Sequence, residues 1–479
     1  MATYDLAVIG AGTGGLVTAA GAAQFGAKVA LIERDKLGGE CLYTGCVPSK
    51  ALIHCAKVAS LVRRAGTFGI NVPTPSIDFP RVMAYVRQVI ETIGQHDSPE
   101  RFQRLGIDVI HGKASFVDTA TLQVGEQQLT SKQFVIATGS RSTIPPIEGL
   151  PEASYLTHVE ALNLAHQPGS LVILGAGPIG IEFAQLFARL GTKVTVLEVV
   201  GQILPREDIE VAQALEGYLR AEGVEIYTST RASRVDVEQG VKVVHGNCEG
   251  QGPGKSAVTF TADAILVAAG RAPNVEGLGL ERVGVETTDK GIVVDDHLRT
   301  TSRPIWACGD VTGKYLFTHV AEYQARLLVG NTLFPVCRKA DYRVVPWTTF
   351  SDPEVARVGL TEAEARDQYG DKVRVYRHAF GDVDRAVAEG VPFGFVKLVC
   401  DAKGQLLGAH ILGPRGGDLL QSLVLAMCEK IPMTRLSQTI HAYPTLVEAN
   451  RRAADQYYLG KLFSGTIARF LRAWVRWFS

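Results

Sequence analysis

The fold of this 479-residue chain is decided by the stretch GAGTGG at residues 10–15, which lies between two short apolar runs. An apolar run, a glycine-rich turn, an alanine-rich segment and a second apolar run form the pattern of a dinucleotide-binding βαβ unit. Gly10 permits the tight turn, Gly12 lets the backbone approach a pyrophosphate, and Gly15 lets the helix pack on the strand. Glu33, just after the second run, is placed to accept hydrogen bonds from ribose hydroxyls.

The same pattern recurs at residues 175–180, which read GAGPIG. Gly175, Gly177 and Gly180 take the three glycine positions, and Glu198 ends the next apolar run. One such motif is weak evidence. Two of them, each between predicted strands and each followed by an acid, outweigh the alternative of two glycine-rich turns that bind nothing. The sequence therefore predicts an α/β fold with two Rossmann-like dinucleotide-binding domains.

The composition is that of a globular protein with several domains. Its length suggests roughly two to four of them. Lys and Arg total 49, as do Asp and Glu, so no overall charge favours nucleic acid as a partner. No apolar stretch approaches the roughly 18 residues of a membrane span, and the N-terminus lacks the features of a signal peptide. Eight cysteines in a chain of this length do not form a disulfide scaffold, which favours a cytoplasmic location.

Four boundaries are expected along the chain. Residues 1–147 and 270–338 are predicted to form two parts of one discontinuous domain, with residues 148–269 as a second nucleotide-binding domain between them. Residues 339–455 mix strand-like and helical patterns without a nucleotide fingerprint, which indicates an α+β domain suited to dimerisation. Residues 456–479 form a tail.

Two cysteines five positions apart, Cys41 and Cys46, follow the first fingerprint. Pro48 suits the first turn of a helix, which is predicted from about residue 49 to residue 62. The helix dipole and Lys50 favour a thiolate there, so the pair can cycle between disulfide and dithiol. The alternatives are a structural disulfide or half of a zinc site, but no second cysteine pair lies near enough in sequence to complete a metal site.

With these motifs in place, the chain resembles the FAD-dependent pyridine nucleotide-disulfide oxidoreductases, the family of dihydrolipoamide dehydrogenase, glutathione reductase and mercuric reductase. The likeness covers almost the whole chain, and several independent motifs occur in the right order. The motifs are residues 10–15, 41–46, 137–139, 175–180, 270–274 and 307–310. The resemblance implies domains for FAD and NAD(P)H, a C-terminal dimerisation domain and a homodimer.

The resemblance also implies roles for individual residues. FAD would lie on the first fingerprint, with Asp310 on its ribityl chain and Lys50 near its isoalloxazine ring, and NAD(P)H would lie on the second. Glu182 resembles the acid that pairs with the flavin-side lysine. Cys46 would be the charge-transfer thiol that faces the flavin, and Cys41 the interchange thiol that faces the substrate. Further cofactor positions implied by the resemblance are Glu33, Ala114, Gly139, Gly270 and Thr318.

Glu198 bears on the choice of nicotinamide cofactor. A carboxylate at this position accepts a hydrogen bond from a 2′-hydroxyl and repels a 2′-phosphate. The first basic residue after it is Arg206. We therefore expect NADH to be preferred over NADPH.

One C-terminal position departs from the family pattern. In the members that act on thiols, a histidine from the partner subunit precedes a proline and pairs with a glutamate five residues later as the acid-base. Here Tyr443 takes that position and Glu448 is kept. A phenol titrates near 10, far from the value of about 6.5 that suits proton transfer at neutral pH, so His441 is either a substitute base or a polar interface residue. Mercuric reductases resemble the chain in this tyrosine, but they also carry a C-terminal cysteine pair, and here no cysteine follows Cys428.

The tail is basic and amphipathic. After Asp455 there is no acidic residue, and apolar side chains recur at helical spacing with the arginines off their stripe. Such a helix suits either an anionic membrane surface or packing on the dimer as a closing helix. The basic residues are Lys461, Arg469, Arg472 and Arg476, and the apolar ones are Phe463, Ile467, Phe470, Leu471, Trp474 and Phe478.

Three functions are compatible with these features. The leading hypothesis is a homodimeric flavoenzyme that moves electrons between NADH and a small-molecule or protein-bound disulfide or dithiol, through FAD and the pair Cys41 and Cys46. The second is a metal-ion or quinone reductase, and Tyr443 is the reason to consider it. The third is a slow-turnover redox-sensing or membrane-associated flavoprotein, for which the tail is the reason.

Overall fold

The computed structural model describes residues 2–248, 256–335, 337–463 and 465–478. Three larger sheets, of seven, four and five strands, follow one another along the chain. The first two are largely parallel and each begins at a glycine fingerprint, whereas the third is antiparallel and carries helices. This order agrees with the predicted fold class.

The first sheet is built around the strand Ala2–Ile9. This strand pairs in parallel with Val29–Glu33 on one side and with Gln127–Ile136 on the other. Ile305–Ala307, from much later in the chain, also pairs in parallel with Gln127–Ile136. Both faces of the central strand are buried, which is why its last four residues are all apolar. The other strands are Ile107–His111, Ala114–Asp118 and Thr121–Val124, and the helices are Thr13–Gln24, Gly39–Tyr43, Cys46–Arg63, Phe79–Gly94, Pro99–Arg104 and Thr318–Leu333.

The second sheet repeats the nucleotide-binding plan with four parallel strands. The helix Pro178–Leu190 follows the second fingerprint, as the pattern predicts. A three-stranded antiparallel sheet accompanies it, and a pair of short strands, Ser140–Ser142 and Arg271–Pro273, joins residues on either side of this region. The parallel strands are, in spatial order, Glu225–Tyr227, Lys193–Leu197, Ser170–Leu174 and Ala264–Val267; the antiparallel ones are Thr230–Glu238, Val241–Cys248 and Ser256–Ala262; the other helices are His158–Ala161 and Ile209–Ala221.

The third sheet is antiparallel and forms the α+β part of the chain. Its inner strands are almost wholly buried and pack against helices, among them Gly416–Cys428, Glu448–Phe463 and Ile209–Ala221. The strands are, in spatial order, Pro346–Thr349, Glu354–Gly359, Leu406–Gly413, Phe395–Cys400 and Arg374–Ala379, and the helices are Glu362–Tyr369, Asp384–Ala388, Gly416–Cys428, Met433–Gln438, Glu448–Phe463 and Gly465–Phe478. A further short pair of strands in the central region is Thr287–Thr288 and Gly291–Ile292.

A buried cation ties the second region to the third. Lys397 Nζ lies 2.9 Å from Asp208 Oδ1, 3.2 Å from Glu210 Oε2 and 2.9 Å from Glu362 Oε2. Only 4% of the lysine side chain is exposed. Three carboxylates around one buried ammonium satisfy its charge, and two of them come from the start of the helix Ile209–Ala221.

Two element ends differ from the sequence-based expectation. The helix after the cysteine pair begins at Cys46 and not near residue 49, because Ser49 N already donates to Gly45 O at 3.1 Å. The run of residues from Phe134 to Thr138 predicts a strand that reaches Thr138, but the observed strand ends at Ile136. Thr138 leaves the ladder because its carbonyl accepts a hydrogen bond from the Asn274 amide at 2.9 Å.

The tail is helical, and the helix before it continues past the boundary expected at residue 455. Glu448–Phe463 runs without a break across residue 456, and a second helix covers Gly465–Phe478. Arg472 donates to the carbonyl of Phe463 at 3.2 Å, which ties the two helices together. The part of the chain that the structure describes holds no helix that is both long and apolar enough to cross a membrane. The side chains of Lys461, Ile467, Leu471 and Phe478 lie outside the described residues.

Candidate active site

Both glycine fingerprints adopt backbone conformations that require glycine. Gly10 and Gly175 have φ of +100° and +109°. A Cβ on Gly15 would lie 1.8 Å from Gly10 O, and a Cβ on Gly180 would lie 1.9 Å from Gly175 O. The helix in each unit therefore packs directly against the turn, with its N-terminus facing outward.

The acids at the ends of the second strands are fixed in the same way in both units. Glu33 Oε2 accepts a hydrogen bond from Ala11 N at 2.6 Å, and Glu198 Oε2 accepts one from Ala176 N at 2.7 Å. The other oxygen of each carboxylate accepts from the amide two residues further along the chain. Each acid is thus held at the mouth of its own glycine turn, where a ribose would lie.

The space in front of each turn fits a dinucleotide. A Cβ built on Gly12 or on Gly177 has no atom within 4 Å, so the backbone there faces open space beside a helix N-terminus. Unpaired amides at such a helix start are suited to a pyrophosphate. The residues present therefore fit a dinucleotide such as FAD or NAD(P)H at each turn.

The predicted cysteine pair lies beside the start of the helix Thr318–Leu333. Cys41 is in the short helix Gly39–Tyr43, and Cys46 is the first residue of the next helix. The Thr318 hydroxyl lies 3.3 Å from Cys46 Sγ and 3.5 Å from Cys41 Sγ. One hydroxyl thus contacts both sulfurs, which are not bonded to each other in this structure.

The two thiols differ strongly in acidity. A hydrogen bond from Cys41, helped by Thr318 and by the charge of Lys50, lowers the pKa of Cys46 to about 6 despite burial. The same contact with Cys46, together with burial, raises the pKa of Cys41. At neutral pH the pair therefore holds one proton, on Cys41, and one negative charge, on Cys46.

Lys50 and Glu182 form the predicted pair next to the sulfurs. Their Nζ and Oε2 atoms are 2.8 Å apart, and 7% of the Glu182 side chain is exposed. Phe350 contacts both members of this ion pair, since its backbone N–H donates to Glu182 Oε1 at 2.9 Å and the centre of its ring lies 4.6 Å from Lys50 Nζ. The ammonium is held within reach of Cys46, whose negative charge it stabilises.

A polar network that the sequence analysis missed joins the redox segment to the central region. Glu40, next to Cys41, accepts hydrogen bonds from His158 Nε2 at 2.5 Å and from the Arg271 guanidinium. Arg271 Nε also donates to Ser140 Oγ at 2.9 Å, and Ser140 Oγ donates to Asp310 Oδ2 at 2.6 Å. Burial opposes ionisation of Glu40, but these two donors outweigh it and lower its pKa.

Three further predicted cofactor positions have a clear structural setting. Ala114 is buried at the start of a strand, in the same apolar cluster as Ala30. Gly139 and Gly270 have φ of +71° and +129°, so both turns need glycine. None of these three side chains offers a polar group, so any contact with a cofactor is made by backbone or by shape.

Tyr443 lies on the surface of the C-terminal region. Its side chain is 68% exposed, and its hydroxyl donates to Asp384 Oδ2 at 2.7 Å. That contact raises the pKa of the phenol. In the described part of a single chain, Tyr443 forms no hydrogen bond with either redox cysteine.

Glu448 and His441 are not paired with each other. Glu448 is buried and one of its oxygens accepts from Arg451 at 3.2 Å, whereas Oε2 has no hydrogen-bond partner among the described residues. His441 is partly exposed, and its Nδ1 donates to Thr439 O at 2.9 Å. The acid expected to orient an acid-base residue is thus present without a histidine next to it.

Comparisons with known proteins agree with this geometry. The profile of the family described as pyridine nucleotide-disulphide oxidoreductase matches residues 4–325, and that of its dimerisation domain matches residues 345–454. The chain is 36% identical to a mercuric reductase of Streptomyces lividans over 464 residues, covering 95% of this chain and 96% of that one. It is 38% identical to a dihydrolipoyl dehydrogenase of Mycobacterium leprae over 466 residues, covering 94% and 97%.

A solved structure is also similar over nearly the whole chain. It is the Cu(II) complex of the HOCl-induced flavoprotein disulfide reductase RclA from Escherichia coli, with a TM-score of 0.85 and 30% identity, covering 95% of this chain and 100% of that one. The predicted fold class, enzyme class and cofactor types are therefore confirmed, and the matched dimerisation domain makes the protein a homodimer. The chain belongs to the pyridine nucleotide-disulphide oxidoreductase family and is an FAD- and NAD(P)H-dependent flavoprotein disulfide oxidoreductase.

Proposed function

We propose that this enzyme passes electrons between NADH and a disulfide or dithiol, with Cys46 as the cofactor-side thiolate and Cys41 as the substrate-side thiol. The observation that carries the proposal is the contact of both sulfurs with Thr318 and the opposite shifts of their pKa values. When bound, FAD supplies two-electron transfer between the nicotinamide and the sulfur pair.

The residues account for the sulfur chemistry of a disulfide substrate. The Cys41 sulfur gives up its proton and attacks one substrate sulfur, which forms a mixed disulfide and releases one thiolate. The Cys46 thiolate then attacks the Cys41 sulfur, which breaks the mixed disulfide and releases the second thiolate. The leaving thiolates take up the proton from Cys41 and one from solvent, so one substrate disulfide becomes two thiols and the protein gains one disulfide.

The proposed cofactor residues follow from the two turns. Glu33, Lys50 and Asp310, with the first fingerprint, would hold FAD, and Glu182 would fix Lys50. The other proposed positions are Gly10, Gly12, Gly15, Ala114, Gly139, Gly270 and Thr318 for FAD, and Gly175, Gly177, Gly180 and Glu198 for the nicotinamide dinucleotide.

Preference for NADH is part of the proposal. Glu198 supports it, because a fixed carboxylate at the ribose repels a 2′-phosphate. Arg206 would be the cation to bind such a phosphate, but its guanidinium lies 5.2 Å from the Trp347 ring centroid. Initial rates with the two nucleotides test this. The initial rate with NADH should be the higher one, and Glu198→Ala should reduce the ratio of the NADH rate to the NADPH rate. An NADPH rate equal to or above the NADH rate would contradict the preference for NADH.

We also propose that the chain divides near residues 147, 270, 338 and 455. Pairing of Ile305–Ala307 with the first sheet supports a discontinuous FAD-binding domain of residues 1–147 and 270–338 around the NAD-binding domain. The antiparallel sheet that starts at Pro346 supports a separate dimerisation domain.

A second candidate is a metal-ion or quinone reductase. Tyr443 favours it, because a phenol hydrogen-bonded to Asp384 is a poor proton shuttle at neutral pH. The relatives include mercuric reductases and a disulfide reductase solved with Cu(II), and a thiolate is a soft ligand for such ions.

A panel of acceptors separates the candidates. Steady-state NADH oxidation would be measured with lipoamide, glutathione disulfide, mercuric ion, copper(II) and quinones. Tyr443→His should raise the lipoamide rate by about tenfold or more if acid-base transfer is limiting, and Tyr369→His, an exposed tyrosine elsewhere in the same domain, should not. Fast lipoamide turnover by the unchanged enzyme would favour the disulfide. Turnover with metal ions or quinones alone would favour the second candidate, and none with any acceptor would favour a redox sensor.

We further propose that the enzyme is cytoplasmic and contacts the membrane surface through its tail. The support is the exposure of Phe470, Arg472 and Arg476 on a basic amphipathic helix. A chain that ends at Gly460 should bind vesicles of anionic lipid less than the full chain does, and neither should bind zwitterionic vesicles. Equal binding of the two chains to anionic vesicles would refute membrane contact and leave packing on the dimer.

A further inference from the structure

The threonine that contacts both sulfurs lies between two residues of an aromatic stack. The Phe317 and His319 rings are 5.3 Å apart with an interplanar angle of 13°, and the Phe317 and Trp347 rings are 5.9 Å apart at 14°. His319 Nε2 also donates to Pro346 O at 2.8 Å. The residues on both sides of Thr318 are therefore fastened to the strand that starts at Pro346.

Trp347 is itself held firmly. Its Nε1–H donates to Glu207 Oε1 at 2.5 Å. The guanidinium carbons of Arg206 and Arg357 lie 5.2 and 4.8 Å from its ring centroid. Glu207 is buried, with 7% of the residue exposed, so the indole is anchored at its polar edge and packed on its ring.

From this geometry we infer that Trp347 is a positioning residue that keeps the Thr318 hydroxyl between the two sulfurs. Thr318 is the first residue of its helix, and the helix start carries no side-chain cap. The stack of Phe317 on Trp347, together with the hydrogen bond from His319 to Pro346 O, thus fixes the chain where it enters the helix. Without it, the hydroxyl loses its defined distance to Cys46, and a hydrogen bond weakens steeply with poorer geometry.

The consequence concerns the ionisation of Cys46. The titratable groups that act on this thiol in the described chain are Cys41, Lys50 and Glu182, and none of them touches Trp347. A change at Trp347 can reach Cys46 through Thr318 or, three residues further along the chain, through Phe350, which contacts both Glu182 and Lys50. The double variant described below separates the two routes, because only the route through Thr318 predicts no further shift. The inference deepens the proposed function, because it concerns the thiolate which that function assigns to Cys46.

The test is the pH dependence of Cys46 alkylation by iodoacetamide in the reduced holoenzyme, followed by mass spectrometry of the peptide. Thr318→Val should raise the apparent pKa of Cys46 by about one unit, since it removes one hydrogen bond to a charged group. Trp347→Leu should produce most of that shift, and the double variant should shift no further. Trp347→Phe keeps an aromatic ring but loses the hydrogen bond to Glu207, so it should shift the Cys46 pKa less than the leucine variant does. It replaces the leucine variant in the experiment if that variant does not fold.

Trp306 provides a matched control. Its Nε1–H donates to Gln133 Oε1 at 2.8 Å and Arg299 lies 4.7 Å from its ring, so Trp306→Phe loses an equivalent bond elsewhere and should leave the Cys46 pKa unchanged. The inference is overturned if Trp347→Leu leaves the pKa at the wild-type value, if the two shifts add in the double variant, or if Trp306→Phe shifts it equally. Alkylation needs no acceptor, so these outcomes are independent of which substrate the enzyme reduces.

Discussion

Replacing Cys41 by alanine should make Cys46 a weaker acid. The main cause of the low pKa of Cys46 is the hydrogen bond that Cys41 donates to it. A hydrogen bond to a charged group contributes about 1.5–3 kcal/mol, and one pKa unit corresponds to about 1.4 kcal/mol. Because Cys46 is partly open to solvent, screening places the effect at the lower end, so Cys41→Ala should raise its pKa by about one unit.

The direction and the size of this change in the pKa of Cys46 can both be measured from the thiolate fraction at a single pH. A thiol with a pKa of about 6 is about nine-tenths thiolate at pH 7. After a rise of about one unit the thiolate fraction at pH 7 falls to about one half. The thiolate's ultraviolet absorption, titrated from pH 4 to pH 9 and corrected with a Cys46→Ser variant, reports this fraction directly.

Cys41→Ser is the matched control for this experiment. The serine hydroxyl still donates a hydrogen bond to Cys46 but cannot form a disulfide, so the pKa should stay near that of the reduced wild-type enzyme. If the alanine and serine variants titrate together, the hydrogen bond between the cysteines does not set the acidity of Cys46, and the assignment of opposite roles to the two thiols loses its basis.

Three further predictions concern stability and nucleotide binding. Lys397→Met should lower the free energy of unfolding in urea by about 3 kcal/mol, since it leaves the buried Asp208 carboxylate without its ammonium partner. Lys193→Met, at a 71% exposed lysine, should lower it by less than about 1 kcal/mol. Burial lowers the pKa of His410 to about 4. Protonation of this group should therefore lower the free energy of unfolding by on the order of 3 kcal/mol as the pH falls from 6.5 to 4. The urea midpoint of His410→Gln should fall less than that of the wild type over the same pH range. Gly180→Ala should lower the melting temperature, because a Cβ at this position has no room. Gly177→Ala should leave the melting temperature unchanged and raise the KM for NADH, because its Cβ would point into the open space of the nucleotide site. Equal melting temperatures of the two variants would contradict the packing argument for Gly180.

The parts of the site that the sequence predicts are those set by local spacing. Gly15 must be glycine because a Cβ at this position would clash with the carbonyl oxygen of Gly10. The two residues are only five positions apart, so the spacing that causes the clash can be recognised in the sequence. The link from Glu40 to Arg271 spans 231 positions, so no local pattern announces it. Arg271 lies inside a recognisable motif and Glu40 lies next to one, yet only the folded chain brings the two together.

The same limit applies to the ends of elements and to Thr318. The strand before Gly139 stops early because Thr138 pairs with Asn274, which lies beyond the entire second sheet. Thr318 is placed by family resemblance as a cofactor contact, but its position between the sulfurs depends on Trp347 from a different region. Contacts of this kind are set by how regions pack and not by periodicity.

The fixed acids at the two turns have a consequence for anyone who wishes to re-engineer cofactor use. Glu198 is a ribose ligand in the proposed function and also the acceptor for the Ala176 amide, so it helps to hold the backbone of the turn in place. Exchanging it for arginine to admit a phosphorylated nucleotide would leave that amide without its acceptor. A successful redesign must therefore supply a replacement oxygen near residue 176 as well as a cation.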